Sequence, residues 1–252
     1  MQTPIEHYRN VGYTQPIDVF SRSESMARRR LFFEAIGQSE EQTLRIPEEI
    51  PNWHAKHAWC EEIARSPRIV EVVQGLLDSP DIMIWSMLFW YKQAGDVTYV
   101  PWHQDGAYWP MKPIKTITAW VALGDVDHLN GALRFLPGRR TELRPHAGLD
   151  DPQSDFITRF PDGIDDCDEV RVDMASGQAC LFDAYTVHRT GPNLTSRARL
   201  GCAIRYATPD VAFEASMWRR YQPAIFMLRG QDRYGLNPAF MRTWPDSTSS
   251  II

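Results

Sequence analysis

The chain has 252 residues, with 32 acids against 27 bases and a formal net charge of −5. Its hydrophobic share of 43% and charged share of 23% match folded globular proteins, which excludes a disordered chain, a collagen or a coiled-coil rod. A mildly acidic chain also lacks the clustered basic surface that nucleic acid requires, while leaving room for a small anion held by one or two arginines.

The chain reads first as helical and then as β. Residues 17–38 carry Phe20, Met26, Leu31, Phe32 and Ile36 at roughly helical spacing. Over residues 66–77 the signal is clearer. Ser66 is a candidate N-cap, and Pro67 sits where its missing N–H costs nothing. Ile69, Val72, Val73, Leu76 and Leu77 then form one apolar face. Beyond Pro80 the pattern predicts strands at Ile82–Lys92, Ile114–Leu123, Leu133–Leu136, Val170–Val172, Ala179–Phe182, Thr186–His188 and Leu200–Tyr206. Turn signals such as Asn130-Gly131 and Gly191-Pro192-Asn193 separate them.

These elements predict a mainly β single domain, a sandwich or barrel with flanking helices. A mostly helical flank spans 1–80, a β core 81–210 and a C-terminal extension 211–252. The extension mixes aromatics with Arg219, Arg220, Arg229 and Arg233 and is expected to fold back over the barrel. Residues 144–169 hold eight acids and little β pattern, and read as a lid-like or unordered loop. Cys60, Cys167, Cys180 and Cys202 form no C-x-x-C pair and read as reduced thiols. With no signal-peptide pattern and no apolar run near the ~18 residues of a membrane helix, the expected location is cytoplasmic.

Three features suggest chemistry. His103 and Asp105 at i and i+2 would project from one face of a strand, an imidazole beside a carboxylate that suits a divalent metal. His188 ends a strand-like run. Two histidines and one carboxylate make the facial triad of non-haem iron(II), which leaves three positions open for a bidentate 2-oxo acid and dioxygen. Arg199 follows eleven residues after His188, and a guanidinium inside a barrel needs an anion, which the far carboxylate of 2-oxoglutarate would supply. Arg197 and Arg205 share the face of Arg199 if the strand alternates, so spacing alone does not choose among the three. His54 and His57 read as structural, and His7, His128 and His146 have no partner pattern.

Together His103-Gln104-Asp105, Trp120, Asn130-Gly131-Ala132-Leu133, Leu136-Pro137-Gly138, His188, Gly191-Pro192-Asn193 and Arg199 resemble the phytanoyl-CoA dioxygenase-like family of iron(II)/2-oxoglutarate oxygenases, over about Tyr8 to Tyr206. The resemblance implies a double-stranded β-helix, a cupin-like jelly roll. It implies His103, Asp105 and His188 as the catalytic iron ligands and Arg199 as the 2-oxoglutarate clamp. Thr190, Gln104 and Trp120 would be further cosubstrate contacts. Trp90, Tyr108, Trp109, Arg139 and Arg140 are candidates for the substrate wall. The two arginines stand where many members read Ser-His, and would suit an anionic substrate group. Arg189 replaces a common glycine and would narrow the entrance or point outward. Halogenating relatives replace the carboxylate ligand by a small residue, so Asp105 implies hydroxylation of a small molecule with iron(II), 2-oxoglutarate and dioxygen. The alternatives are a jelly-roll metalloenzyme without 2-oxoglutarate and a non-enzymatic binding protein.

Overall fold

The computed structural model describes residues 2–40, 52–138, 140–155, 158–159, 168–214 and 222–244. Its helices are α1 (Pro4–Val11), α2 (Arg22–Ala35), α3 (Ala58–Ala64) and α4 (Pro67–Leu77), with short 3-10 turns at Trp53–Ala55 and Asp105–Tyr108. The strands are β1 (Ile17–Asp18), β2 (Ile82–Lys92), β3 (Val100–His103), β4 (Met111–Lys112), β5 (Thr116–Ala122), β6 (Leu133–Phe135) and β7 (Ala147–Gly148). They continue with β8 (Thr158–Arg159), β9 (Val170–Val172), β10 (Gln178–Asp183), β11 (His188–Thr190), β12 (Arg199–Ala207), β13 (Ala212–Phe213) and β14 (Phe226–Arg229).

Two antiparallel sheets face each other. The major sheet runs β1-β10-β5-β12-β2-β14 and the minor sheet β3-β11-β6-β9, the two facing sheets of a double-stranded β-helix. Strand alternation sorts each major strand into two faces. On β5, Ile117, Ala119 and Val121 face outward; on β12, Leu200, Cys202, Ile204 and Tyr206 do the same. Phe32 and Phe33 of α2 and Ile69, Val73 and Leu77 of α4 cover this apolar face. The opposite face, with Trp120, Ala122, Cys180, Phe182 and Ala203, packs on Leu133 and Phe135 of the minor sheet.

The helices carry their own start signals. Thr3 with Glu6 and Ser21 with Glu24 form capping boxes on α1 and α2, each satisfying two N-terminal donors. Pro67 starts α4 as predicted, although the Ser66 hydroxyl makes no capping bond.

Several boundaries differ from the sequence expectation. The predicted helix over 17–38 begins only at Arg22, because Ile17 and Asp18 pair with Ala179 and Gln178 at one edge of the major sheet. The C-terminal extension is not merely draped over the barrel: β14 adds the strand at the other edge, next to β2. Arg219 and Arg220 lie outside the described residues. The strand expected at Thr186–His188 lies at His188–Thr190, since Thr186 closes a turn on Asp183 and its hydroxyl donates to Gly12 O. Of segment 144–169, β7 pairs with β8, and residues 151–155 run against Tyr99 through Tyr99 N to Gln153 O and Asp155 N to Tyr99 O. The rest of that segment lies outside the described residues. Cys60, Cys180 and Cys202 are buried and free; Cys167 lies outside the described residues. No helix among the described residues is long and apolar enough to cross a membrane.

Candidate metal and cosubstrate site

His103 ends β3, and β11 pairs with it so that His188 stands directly opposite. The ring centroids are 4.1 Å apart. Asp105 does not share a strand face with His103, as the i, i+2 spacing suggested. The strand stops at His103, and Asp105 opens a 3-10 turn that swings its carboxylate back to 3.5 Å from His103 Nε2. Gly106 permits that turn, because a Cβ there would meet Leu143 Cδ2 at 3.0 Å and Ala184 O at 3.1 Å.

One donor atom from each of the three residues lies within 4.8 Å of the others, and all three side chains are buried. His103 Nδ1 contacts Pro101 O and His188 Nδ1 contacts Thr186 O, both at 2.9 Å. A carbonyl accepts only, so each Nδ1 carries the proton and each Nε2 presents a lone pair. Burial, with the neighbouring His103, pushes His188 down to about 3 and keeps it neutral. Burial also acts to raise Asp105, but the His103 contact and the charges around it outweigh this and hold the carboxyl below the usual range. Two imidazole nitrogens and a carboxylate thus lie close together in one buried corner. The donor set fits a divalent metal with open positions.

The cavity continues from the triad along the inner face of β12, past Trp120 to Arg199. Arg199 is 2% exposed, and burial lowers it to about 10. Its Nη1 donates to Trp90 O at 3.3 Å and its Nη2 to Gly131 O at 3.2 Å, while Nε has no partner. Thr190 Oγ1, lining the same cavity, is also buried without a partner. Gly201 is required beside them: a Cβ there would fall 1.9 Å from the Trp120 ring. Arg197, one of the rivals to Arg199, is instead exposed and paired with Asp127 at 3.5 Å.

The other expected residues separate. Trp90 lines the cavity. Tyr108 is 38% exposed and does not line the cavity, although its ring is 6.2 Å from that of His103. Gln104 is a correction: its side chain turns away from the cavity, donating to Glu142 O and Tyr185 O and accepting from Arg144 N, and so fastens loop 142–146 beneath the triad. Trp109 is a second correction, being buried in a cluster with Trp85, Met111 and Phe213. Arg140 lines a different cavity, with Tyr8, Lys115 and Asp183, and donates to Leu136 O and Gly138 O. Arg139 lies outside the described residues. Arg189 pairs with Glu169 and stacks over Trp102, away from the triad cavity. His146, which showed no sequence pattern, accepts from Gln104 N at 3.1 Å. Lys92 was missed altogether. It is buried at the end of an apolar strand and reaches Thr98 O at 2.6 Å and Asp155 at 3.3 Å; a lone cation closing such a run was the available signal.

Fold and site together define the class, a jelly roll with a buried two-histidine, one-carboxylate donor set. The chain belongs to the phytanoyl-CoA dioxygenase (PhyH) family, whose model matches residues 10–201. It is 31% identical over 157 residues to phytanoyl-CoA dioxygenase domain-containing protein 1 of Danio rerio, covering 58% of this chain and 53% of the relative. It is 30% identical over 193 residues to the peroxisomal phytanoyl-CoA dioxygenase of Rattus norvegicus, covering 71% and 56%. The matches therefore span about half the length of these two curated relatives. Among solved structures, the non-heme monooxygenase ThoJ in its apo form superposes with a TM-score of 0.79 at 25% identity, covering 97% of this chain and 89% of the other.

Proposed function

We propose that the protein is an iron(II)/2-oxoglutarate-dependent dioxygenase that hydroxylates an aliphatic C–H bond of a small molecule, releasing succinate and carbon dioxide. The observation that carries this reading is one buried cavity with a cation-seeking triad at one side and an anion-seeking pair, Arg199 and Thr190, at the other. His103, Asp105 and His188 would hold the iron. Bound iron would supply the oxidising chemistry that couples decarboxylation of 2-oxoglutarate to attack on the C–H bond.

The chain's own residues supply position and dryness. Backbone carbonyls of Pro101 and Thr186 fix each imidazole through its Nδ1–H, so that both Nε2 atoms point at the metal position. Arg199 and the Thr190 hydroxyl would receive the distal carboxylate of 2-oxoglutarate, with Trp120 forming the wall between clamp and triad. The Lys92–Asp155 pair ties residues 151–155 to the wall of the cavity. We infer a reducing, cytoplasmic setting; the buried free thiols Cys60, Cys180 and Cys202 support it.

The test is anaerobic addition of iron(II) and then 2-oxoglutarate to the protein, followed by the weak visible charge-transfer band of the chelate. The band is expected, and Arg199→Met should raise the 2-oxoglutarate needed to form it by about tenfold or more, as expected for loss of a charge-assisted pair. Iron binding without a band would point to a jelly-roll metalloenzyme of another type, and no iron binding would point to a binding protein.

A further inference from the structure

The cavity holds two buried guanidiniums that make no hydrogen-bonded ion pair with a carboxylate among the described residues, and the proposed reaction employs one of them. Both stand on the inner face of β12. At about 3.3 Å per residue, the Cα atoms of Arg199 and Arg205 are about 20 Å apart, so one anion at the Arg199 end does not serve both. Arg205 lies at the triad end, in register with Thr118, whose hydroxyl contacts Asp105 at 3.5 Å.

Arg205 is 6% exposed. Its Nη1 donates to Ser86 Oγ at 3.2 Å, while Nε is buried without a partner, and no hydrogen bond is made by Nη2 among the described residues. The Nε–Nη2 edge is the side of the fork that takes a carboxylate through two parallel bonds. The Trp109 and Trp85 rings lie 4.8 Å and 5.7 Å from the guanidinium carbon and hold it in place. Among the described residues no carboxylate makes an ion pair with Arg205. Of the two acids lining this cavity, Asp155 is taken by Lys92, and Asp105 is turned to His103; the Arg205 charge helps hold Asp105 ionised, but no hydrogen bond to Asp105 occupies the Nε–Nη2 edge. Buried donors left without an acceptor are costly, and a cavity that leaves the edge of a guanidinium open suits an anion that arrives with a ligand.

This step rests on the function proposed above. 2-Oxoglutarate brings two carboxylates, one beside its keto group for the metal and one for Arg199. We propose that Arg205 anchors a carboxylate of the primary substrate, so that the enzyme selects small carboxylic acids and presents their C–H bonds to the triad. Arg205, rather than Arg139 or Arg140, is then the anion-recognition residue.

The test compares benzoate with its neutral isostere benzamide. Both are titrated calorimetrically into the parent and into Arg205→Met and Arg205→Lys, each loaded anaerobically with iron(II) and 2-oxoglutarate. The parent should bind benzoate about tenfold or more tightly than benzamide, Arg205→Met should lose the preference, and Arg205→Lys should regain part of it. The 2-oxoglutarate concentration that half-forms the visible band should stay within about twofold in all three, since Arg199 is intact. A parent without preference for benzoate overturns the proposal. So does an Arg205→Met protein whose 2-oxoglutarate requirement rises about tenfold, which would assign Arg205 to the cosubstrate. If Arg205→Met does not fold, Arg205→Lys decides: benzoate must weaken severalfold while benzamide is unchanged. If the parent forms no band, the oxygenase reading fails by itself, and the same benzoate-benzamide comparison on metal-free parent and Arg205→Lys still decides for Arg205.

Discussion

The two faces of the major sheet bury different things. Outside, Leu200, Cys202, Ile204 and Tyr206 of β12 meet the helices in a continuous apolar layer, where even the Tyr206 hydroxyl finds a partner in Ala64 O at 3.0 Å. Inside, the alternate residues of the same strand are Arg199, Gly201, Ala203 and Arg205, and polar atoms are left open: Thr190 Oγ1, Arg199 Nε and Arg205 Nε. Folding energy comes chiefly from the continuous apolar face. The inner face gathers its orphaned atoms around one cavity, where a ligand can complete them. One strand thus carries stability on its even-numbered residues and chemistry on its odd-numbered ones.

That division can be broken from either side. The largest effect should follow substitution inside. His103→Ala or His188→Ala should abolish turnover and weaken iron binding by well over about a hundredfold, since even residues that only orient metal ligands cost about 10–100-fold. The melting temperature of the metal-free protein should hardly change. Full turnover in either variant would remove that histidine from the triad. Outside, Ile204→Ala should cost about 2–5 kcal/mol by denaturant unfolding, through lost burial and the cavity left behind, with iron affinity unchanged. A large loss of iron binding there would show that the faces are not independent.

A smaller effect concerns pH. His54 is fully buried, its Nε2 donates to Ala224 O at 2.7 Å, and burial lowers it from 6.5 to about 4. Its folded form stays neutral where the unfolded chain already takes a proton. Stability is therefore complete above about pH 6.5 and falls as the pH drops toward 4, by on the order of 3 kcal/mol over that window. Denaturant midpoints measured between pH 7 and 4.5 should show this loss, and His54→Gln, which keeps a donor without the titration, should flatten it.

Much of this site was legible in the chain. The strand at Ile82–Lys92 was predicted to the residue, because an apolar run between Pro80 and Gly95 has little else to become. His103, Asp105, His188 and Arg199 were marked by residue type and order, since few combinations of side chains suit a metal and a dicarboxylate together. Spacing did not explain how His103 meets Asp105: the strand breaks between them, and a glycine turn does what alternation was expected to do. Nor did it separate Arg197, Arg199 and Arg205. All three fall on one face by period, yet Arg197 stands beyond the cavity and pairs with Asp127. The expectation for Gln104 failed because its partners, Glu142, Arg144 and Tyr185, come from loops about forty and eighty positions away.

The sequence by itself determined the local terms: capping boxes, the apolar face of α4, the β pattern, the turns and the residue types of the proposed triad and clamp. These depend on neighbours within a few residues or on side-chain type, both written in the chain. Tertiary structure decided which polar atoms are left without partners. Arg140 is drawn into another cavity and Arg205 is set between two tryptophans with one edge open, and neither outcome follows from local pattern. Satisfaction of a buried charge depends on every strand packed around it, and those strands are brought together only by the fold.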